Sequence, residues 1–324
     1  MVRFFTGFGR YIENGIDREN NKTVLVIQRI GAIMSLLESI IMGIIQGATE
    51  FLPVSSSGHL AIFKNMFHVN TDTGIMFDIL LHFGTLVAIF IVYWKDIVEL
   101  IVEGFTIIGL ACCNVGRFFA NLFSKEKKPY RKIIETEYRK FVMLVILSTL
   151  VTMVIALPFE SKIENAGNTL LVPGFCLCIT SVILFIADRV QKGNKGPAEA
   201  TYKNSLFIGL AQGIATLPGI SRSGSTITAG LACGFNREFA VKYSFIMSIP
   251  TILGACILQI PDLAGASLAG SEILNYVIGM IVAGVVGFLC IKVMLKSVKN
   301  NKFKGYSIYC LCAGVISVIY YFVR

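Results

Sequence analysis

The chain has 324 residues, of which 55% are hydrophobic and only 15% charged, and its formal net charge is +9. With a mean hydropathy of +0.71 it has too little polar surface for a soluble globule of this size, which makes it an integral membrane protein. The positive charge is not a nucleic-acid footprint, because Lys and Arg are concentrated in a few loops between apolar runs.

Residues 1–33 are charged and lack a continuous apolar core, so they read as neither a signal peptide nor a span. Met34 opens the first apolar stretch, and the preceding segment is expected to be a dispensable extension or a start-site artefact. Ile40 to Phe51 can form a helix with Gln46 and Glu50 on one face, and Leu52-Pro53 ends it, because the residue before proline is pushed out of the helical region. Ser55, Ser56, Ser57 and Gly58 follow, and a second helix is expected to restart near His59, Leu60 and Ala61. Its free N–H groups and capping serines would face the break, where an anion such as phosphate is the natural occupant. Glu50 could be a satisfied buried carboxylate and the serines mere caps, but intramembrane carboxylates are costly and usually functional. His59, beside the serines and near a glutamate, reads as an acid–base group.

Six apolar runs are each close to the roughly 20 residues a crossing helix needs: Met76–Trp94, Phe141–Leu157, Leu170–Ala187, Ala240–Ile260, Ile273–Val293 and Tyr306–Val323. The first carries Asp78 and His82 at i and i+4, either a structural pair or a route for protons. Ile97 to Phe123 is apolar enough to span, but a crossing there would invert the hairpin before it. With Glu99, Glu103 and Arg117 as polar marks it is expected to lie along the cytoplasmic interface. The cysteines sit mostly in apolar runs without zinc-site spacing and read as packing.

Gly209 to Thr226 repeats the pattern of Gly43 to Leu60. Both run Gly-x-x-Gln-Gly, then Leu-Pro, then a serine cluster ending in Ser-Gly. The second copy, Leu217-Pro218-Gly219-Ile220-Ser221-Arg222-Ser223-Gly224-Ser225-Thr226, adds a permanent cation whose N–H fork matches a phosphate. Snorkelling or simple pairing with Glu50 is the plainer reading of Arg222, but the flanking hydroxyls argue against snorkelling. Broken helices in two halves point to a site between them. Ser124–Lys140, Arg189–Asn204 and Lys292–Lys304 are basic, whereas Glu160–Asn168 and Pro261–Ser271 are not, which places the first set in the cytoplasm. The threading that follows gives an all-α polytopic membrane protein with an inverted-topology repeat, six transmembrane helices and two re-entrant hairpins. The first repeat covers 34–188, with its hairpin at about 35–66 and a cytoplasmic-side insertion at about 97–140. The second covers 205–324, with its hairpin at about 205–235.

At three motifs the chain resembles the undecaprenyl-diphosphate phosphatases, the bacitracin-resistance family of bacterial inner membranes. These are Gln46 through Glu50, Pro53 through His59, and Pro218 through Thr226, and the likeness runs from Met34 to the C-terminus. The resemblance implies metal-dependent hydrolysis of undecaprenyl diphosphate to the monophosphate, which recycles the carrier lipid for cell-wall synthesis. It also implies a site open to the outer face of the plasma membrane, and it is compatible with a homodimer. By the same resemblance Glu50 is the essential carboxylate, His59 a catalytic group and Ser56 a nucleophile. Arg222 is the phosphate clamp, with Ser55, Ser57, Ser221, Ser223, Thr226 and Gln46 around the phosphates. Gln46 stands where the family also admits Glu and cannot act as a base. A divalent metal, Mg²⁺ or Ca²⁺, is therefore expected between Glu50 and the diphosphate oxygens. The expected mechanism has His59 taking a proton from Ser56 or from water. Inverted repeats with broken helices are also a transporter design, so a polyprenyl-phosphate flippase and a non-catalytic lipid binder are the rival readings.

Overall fold

The computed structural model describes residues 35–67, 74–259, 270–300 and 302–323. The 1–33 extension, read above as dispensable, and most of the Pro261–Ser271 loop lie outside them. Among the described residues the regular structure is all helical, apart from one isolated bridge between Lys195 and Phe235. In chain order the helices are α1 (Leu36–Phe51), α2 (Ser56–Phe67), α3 (Gly74–Val92), α4 (Trp94–Phe123) and α5 (Glu137–Ala156), which a 3₁₀ turn (Leu157–Phe159) joins to α6 (Glu160–Gly167). Then come α7 (Leu171–Ala187), α8 (Tyr202–Ile214), α9 (Arg222–Ala232), α10 (Arg237–Gln259), α11 (Gly270–Lys299) and α12 (Phe303–Val323).

Local chemistry sets the ends of both hairpin arms. A capping box starts α1, with the Glu38 backbone N–H donating to Ser35 Oγ and the Ser35 N–H returning to the Glu38 carboxylate. Leu52 ends it in an extended conformation, as a residue before proline must. Thr201 and Asn204 form the equivalent box at the start of α8. The restart of the first hairpin comes earlier than the sequence predicts: α2 begins at Ser56, because Ser55 Oγ caps it by accepting from Gly58 N–H at 3.3 Å.

The two arms pack in matching ways. α1 lies against α11 while α8 lies against α5, α7 pairs with α12, and α3 meets α10. The glycines of the repeated Gly-x-x-Gln-Gly motif make the first two contacts close. A Cβ at Gly43 would sit 2.5 Å from the Gly279 carbonyl and one at Gly47 2.5 Å from that of Ala283. At Gly209 and Gly213 it would come within 2.7 Å of the Ser148 carbonyl and 2.8 Å of Ile155 Cβ. Small residues that let backbones approach are the usual glue between membrane helices, where lipid removes the hydrophobic drive for association. With both faces of each motif so anchored, Gln46 and Gln212 are held wholly buried between the arms.

Among the described residues four helices are long and apolar enough to cross a membrane: Glu137–Ile163, Arg237–Gln259, Glu272–Lys299 and Phe303–Val323. A fifth is reached if Met76–Val92 and Trp94–Phe123 count as one bent span. The chain is thus a multi-pass membrane protein, with fewer full-length spans among the described residues than the six the apolar runs predict. Two of the runs fall short for separate reasons. Leu171–Ala187 has only 17 residues, about 25 Å of helix. The run that begins at Met76 ends at Tyr93, where the axis turns by 91° into α4.

Candidate active site at the meeting of the two breaks

The breaks between α1 and α2 and between α8 and α9 touch each other. A Cβ at Gly58 would lie 2.8 Å from Gly219 Cα, so only glycine lets the two tips approach this closely. Gly219 itself has φ +100°, a left-handed conformation that glycine adopts without cost. Its carbonyl accepts from Thr180 on α7 at 2.8 Å, and that same hydroxyl oxygen accepts from Ser221 N–H at 2.9 Å, which pins the second tip. Ser55, at φ +70°, has positive φ without being glycine. Such strain costs of order 1–3 kcal/mol and persists only where the surroundings impose it. Here the Oγ cap and the His59 ring hold the turn.

Glu50, on the last turn of α1, is the centre of the site, with 3% of its side chain exposed. One carboxylate oxygen is paired with Arg222 Nη2. The other accepts from Ser56 Oγ at 2.5 Å and from Gln46 Nε2 at 3.0 Å. A carboxylate so buried is tolerable only when paired and hydrogen-bonded in this way. Arg222 reaches it from the first residue of α9, whose start is fixed by Ser221 Oγ accepting from Gly224 N–H at 3.0 Å. The two breaks, 172 residues apart in the chain, therefore present a carboxylate, a hydroxyl and a guanidinium to one hollow.

That hollow has a volume of about 300 Å³, and its walls include Glu50, Ser55, Ser56, Ser57, Ser221, Arg222 and Ser223. Ile79, Ile220 and Ile252 add apolar wall. Three of the sequence-predicted residues stand outside it. Gln46 lies behind Glu50 and orients it. Thr226 is buried, with its hydroxyl shared between the Arg222 carbonyl at 2.8 Å and Ser244 Oγ at 2.6 Å, so it fixes the first turn of α9. His59 faces the opposite way: Nδ1 donates to the Ser55 carbonyl at 2.8 Å, which leaves Nε2 to accept from Tyr309 on α12 at 2.8 Å. The two rings also stack, with centroids 5.5 Å apart. The histidine expected to take a proton from Ser56 is thus tied at both nitrogens to other groups, and Ser56 has Glu50 as its partner instead.

Sequence reasoning left several wall residues without a role. Gln212, Thr216 and Thr251 also line the hollow, and Gln212 Nε2 donates to Thr251 at 2.8 Å and to Thr152 at 3.2 Å. Aligning the two motifs would have found Thr216, since it lies four residues after Gln212 as Glu50 does after Gln46. Asp78 and His82 also line the hollow, but not as the acid–base pair that their spacing suggests. His82 Nδ1 bonds the Asp78 backbone carbonyl at 2.8 Å, and the Asp78 carboxylate pairs with Lys64 at 2.5 Å.

Among the described residues no group of three His, Cys, Asp or Glu side chains forms a metal cage. Both Glu50 oxygens already accept from protein donors, while Asp78 Oδ1 on the same wall is buried without a partner. This donor set fits a divalent cation whose shell is completed by substrate oxygens, the common arrangement for Mg²⁺ on phosphates.

Residues 39–316 match the family model described as bacitracin resistance protein BacA. The chain is 37% identical over 287 residues to the undecaprenyl-diphosphatase of Methanosphaera stadtmanae, covering 89% of this chain and 98% of that protein. It is 39% identical over 288 residues to that of Treponema denticola, covering 89% and 98%. To that of Halothermothrix orenii it is 35% identical over 286 residues, covering 88% and 98%.

Proposed function

The chain belongs to the bacitracin resistance protein BacA family, and on that premise we propose that the Glu50–Arg222 cleft hydrolyses undecaprenyl diphosphate to undecaprenyl phosphate and inorganic phosphate. The reading is carried by one observation: a single buried carboxylate holds Ser56 on one oxygen and Arg222 on the other, at the wall of one hollow. A nucleophile hydrogen-bonded to a base, beside a cation that would neutralise the phosphoryl oxygens, is the minimum equipment for phosphoryl transfer.

In the proposed mechanism Arg222 clamps the terminal phosphate with the N–H groups not paired to Glu50, helped by the hydroxyls of Ser57, Ser221 and Ser223. Glu50 takes the Ser56 proton as Oγ attacks the terminal phosphorus; the Oγ–P bond forms and the P–O bond to the bridging oxygen breaks, releasing the lipid monophosphate. Glu50 gives that proton to the departing lipid monophosphate; water then attacks the phosphoserine, its proton passing to Glu50 and on to Ser56 Oγ as the Oγ–P bond breaks, so that inorganic phosphate leaves and Ser56 is regenerated. A divalent cation, Mg²⁺ or Ca²⁺, would be held by Glu50 and the unpartnered Asp78 oxygen together with the phosphate oxygens, and would supply neutralising charge to the departing phosphate. His59 serves as a positioning residue: it holds the Ser55 turn, and so the direction of Ser56, through its bonds to the Ser55 carbonyl and Tyr309. Gln46 and Thr226 likewise orient Glu50 and the first turn of α9.

The proposed topology is an inverted repeat of two re-entrant hairpins, α1–α2 and α8–α9, with three spans in each half. Its support is the exchange of partners between the halves, α1 with α11 and α8 with α5, together with the pairing of α7 with α12. With the basic loops in the cytoplasm, the site opens to the outer face.

A transporter would need the cation but not the Ser56–Glu50 pair. Purified protein in detergent micelles, where no two compartments exist, should release inorganic phosphate from undecaprenyl diphosphate. Binding of the lipid without phosphate release would overturn the proposal.

A further inference from the structure

We propose that α4 and the segment after it form a second, non-catalytic site for the phosphate headgroup of an anionic membrane lipid. The site stands apart from the hydrolytic cleft and does not depend on how that cleft works.

The first support is the direction and exposure of α4. It leaves α3 at 91°, and along its 30 residues Ile101, Phe105, Ile108, Val115, Phe119 and Leu122 form an exposed stripe at helical spacing. Trp94, the protein's one tryptophan, is exposed at the bend, where an amphipathic ring suits the membrane–water boundary. A long helix with one open apolar face, perpendicular to the largely apolar helix before it, is built to lie in the membrane interface.

The second support is a strand of chain clipped to the other face. Asn114 Nδ2 donates to the Arg131 carbonyl and its Oδ1 accepts from Arg131 N–H, both at 2.8 Å. Two turns further along the same face, Asn121 does the same with Lys128, at 2.9 and 2.8 Å. Arg117 donates to the Pro129 carbonyl between them. Each asparagine imitates a neighbouring strand, so the segment is held in register rather than trailing into solvent.

The third support is what the clips create. On the flank of α4, between the apolar stripe and the clipped segment, lies a hollow of about 330 Å³ lined by Arg117, Lys128 and Arg131 with Cys113, Gly116 and Ala120. No carboxylate lines it, and none of the three cations belongs to an ion pair among the described residues. The small side chains leave the space open; a Cβ at Gly116 would meet nothing within 4 Å. When the stripe is sunk in acyl chains, this flank sits at headgroup depth. Three cations converging there suit a phosphate diester, each basic residue near an anionic surface being worth about 1 kcal/mol. The continuous apolar stripe favours a lipid over free phosphate.

The test is native mass spectrometry of the full-length protein in neutral detergent, titrated with phosphatidylglycerol and, separately, with phosphatidylcholine. Wild type should retain phosphatidylglycerol preferentially. R117Q/K128Q/R131Q should lose that preference by about 100-fold, the fold-change equivalent of three such charges. G116L keeps every charge but fills the hollow, and N114A/N121A keeps every charge but frees the segment; each should lose about tenfold or more. K125Q/K127Q/K132Q removes three cations of the same segment from outside the hollow and should lose less than about threefold if the hollow, not bulk charge, does the binding. Equal losses in the two charge-removal triples, or full retention by G116L, would overturn the proposal. So would displacement of the lipid by millimolar inorganic phosphate. Undiminished phosphate release from undecaprenyl diphosphate by all four variants confirms that they are folded.

Discussion

Replacing Glu50 by Gln removes one charge and almost no volume from the centre of the cleft, which makes it the sharpest probe of the mechanism. The amide can be accommodated. Gln46 Oε1 is buried without a partner, so turning the Gln46 amide lets it accept from the new side chain, while the Ser56 hydroxyl rotates. What cannot be repaired is the ion pair. Removing one member of a fully buried pair costs about 3–5 kcal/mol, but 20% of the Arg222 side chain is exposed and it lines the hollow. Water can partly solvate it, so the stability cost should be nearer 1–3 kcal/mol. The catalytic cost is separate, because a positioned general base contributes about 10²–10⁴-fold. That corresponds to about 2.7–5.4 kcal/mol on the barrier. At a temperature where thermal unfolding shows E50Q to be folded, phosphate release should fall by at least about 100-fold in kcat/KM. An E50Q protein that is folded and within about threefold of wild type would refute the role of this carboxylate as base.

R222K keeps the charge but loses the fork that spans Glu50 and a phosphate, and should lower kcat/KM by about 10–100-fold with little loss of stability, as read by phosphate release and thermal unfolding. If His59 acts by holding the Ser55 turn, H59Q and Y309F should lower activity to similar extents, within about threefold of each other, and the double variant should be no worse than either alone. A proton-transfer role would instead leave Y309F active and H59Q dead. G58A forces the two tips apart, since the new Cβ would lie 2.8 Å from Gly219 Cα. It should cost about 1–3 kcal/mol of stability and reduce activity beyond that. EDTA should leave the unfolding midpoint unchanged while lowering activity, because no cage of three protein ligands is present among the described residues. A large fall in the midpoint on chelation would reveal a resident structural ion.

Where the two breaks lie was legible in the sequence, because proline, glycine and serine runs inside apolar stretches have few other uses. The opposite chemical characters of the two breaks, one acidic and one cationic, made their convergence a natural expectation, and the Glu50–Arg222 pair is where it is met. The turn into α4 was legible as well, since a crossing there would have inverted the preceding hairpin. What local pattern could not supply was partnership at long range. Tyr309 is 250 residues from His59, and nothing in the first motif says that the histidine turns away from Ser56. Spacing likewise joined Asp78 to His82, whereas Lys64 on α2 takes the carboxylate. Of the six apolar runs, the described residues show four as helices long enough to cross a membrane and a fifth if the bent pair counts as one span.

The account turns on Ser56 Oγ, activated by Glu50, attacking a phosphate held by Arg222. The most direct measurement is acid quench of the purified protein during turnover of undecaprenyl diphosphate labelled on its terminal phosphate, followed by mapping of the label. Covalent label on Ser56 in wild type, absent together with turnover in S56A, is the predicted result. Turnover by S56A at an undiminished rate, with no label on the wild-type chain, would contradict it.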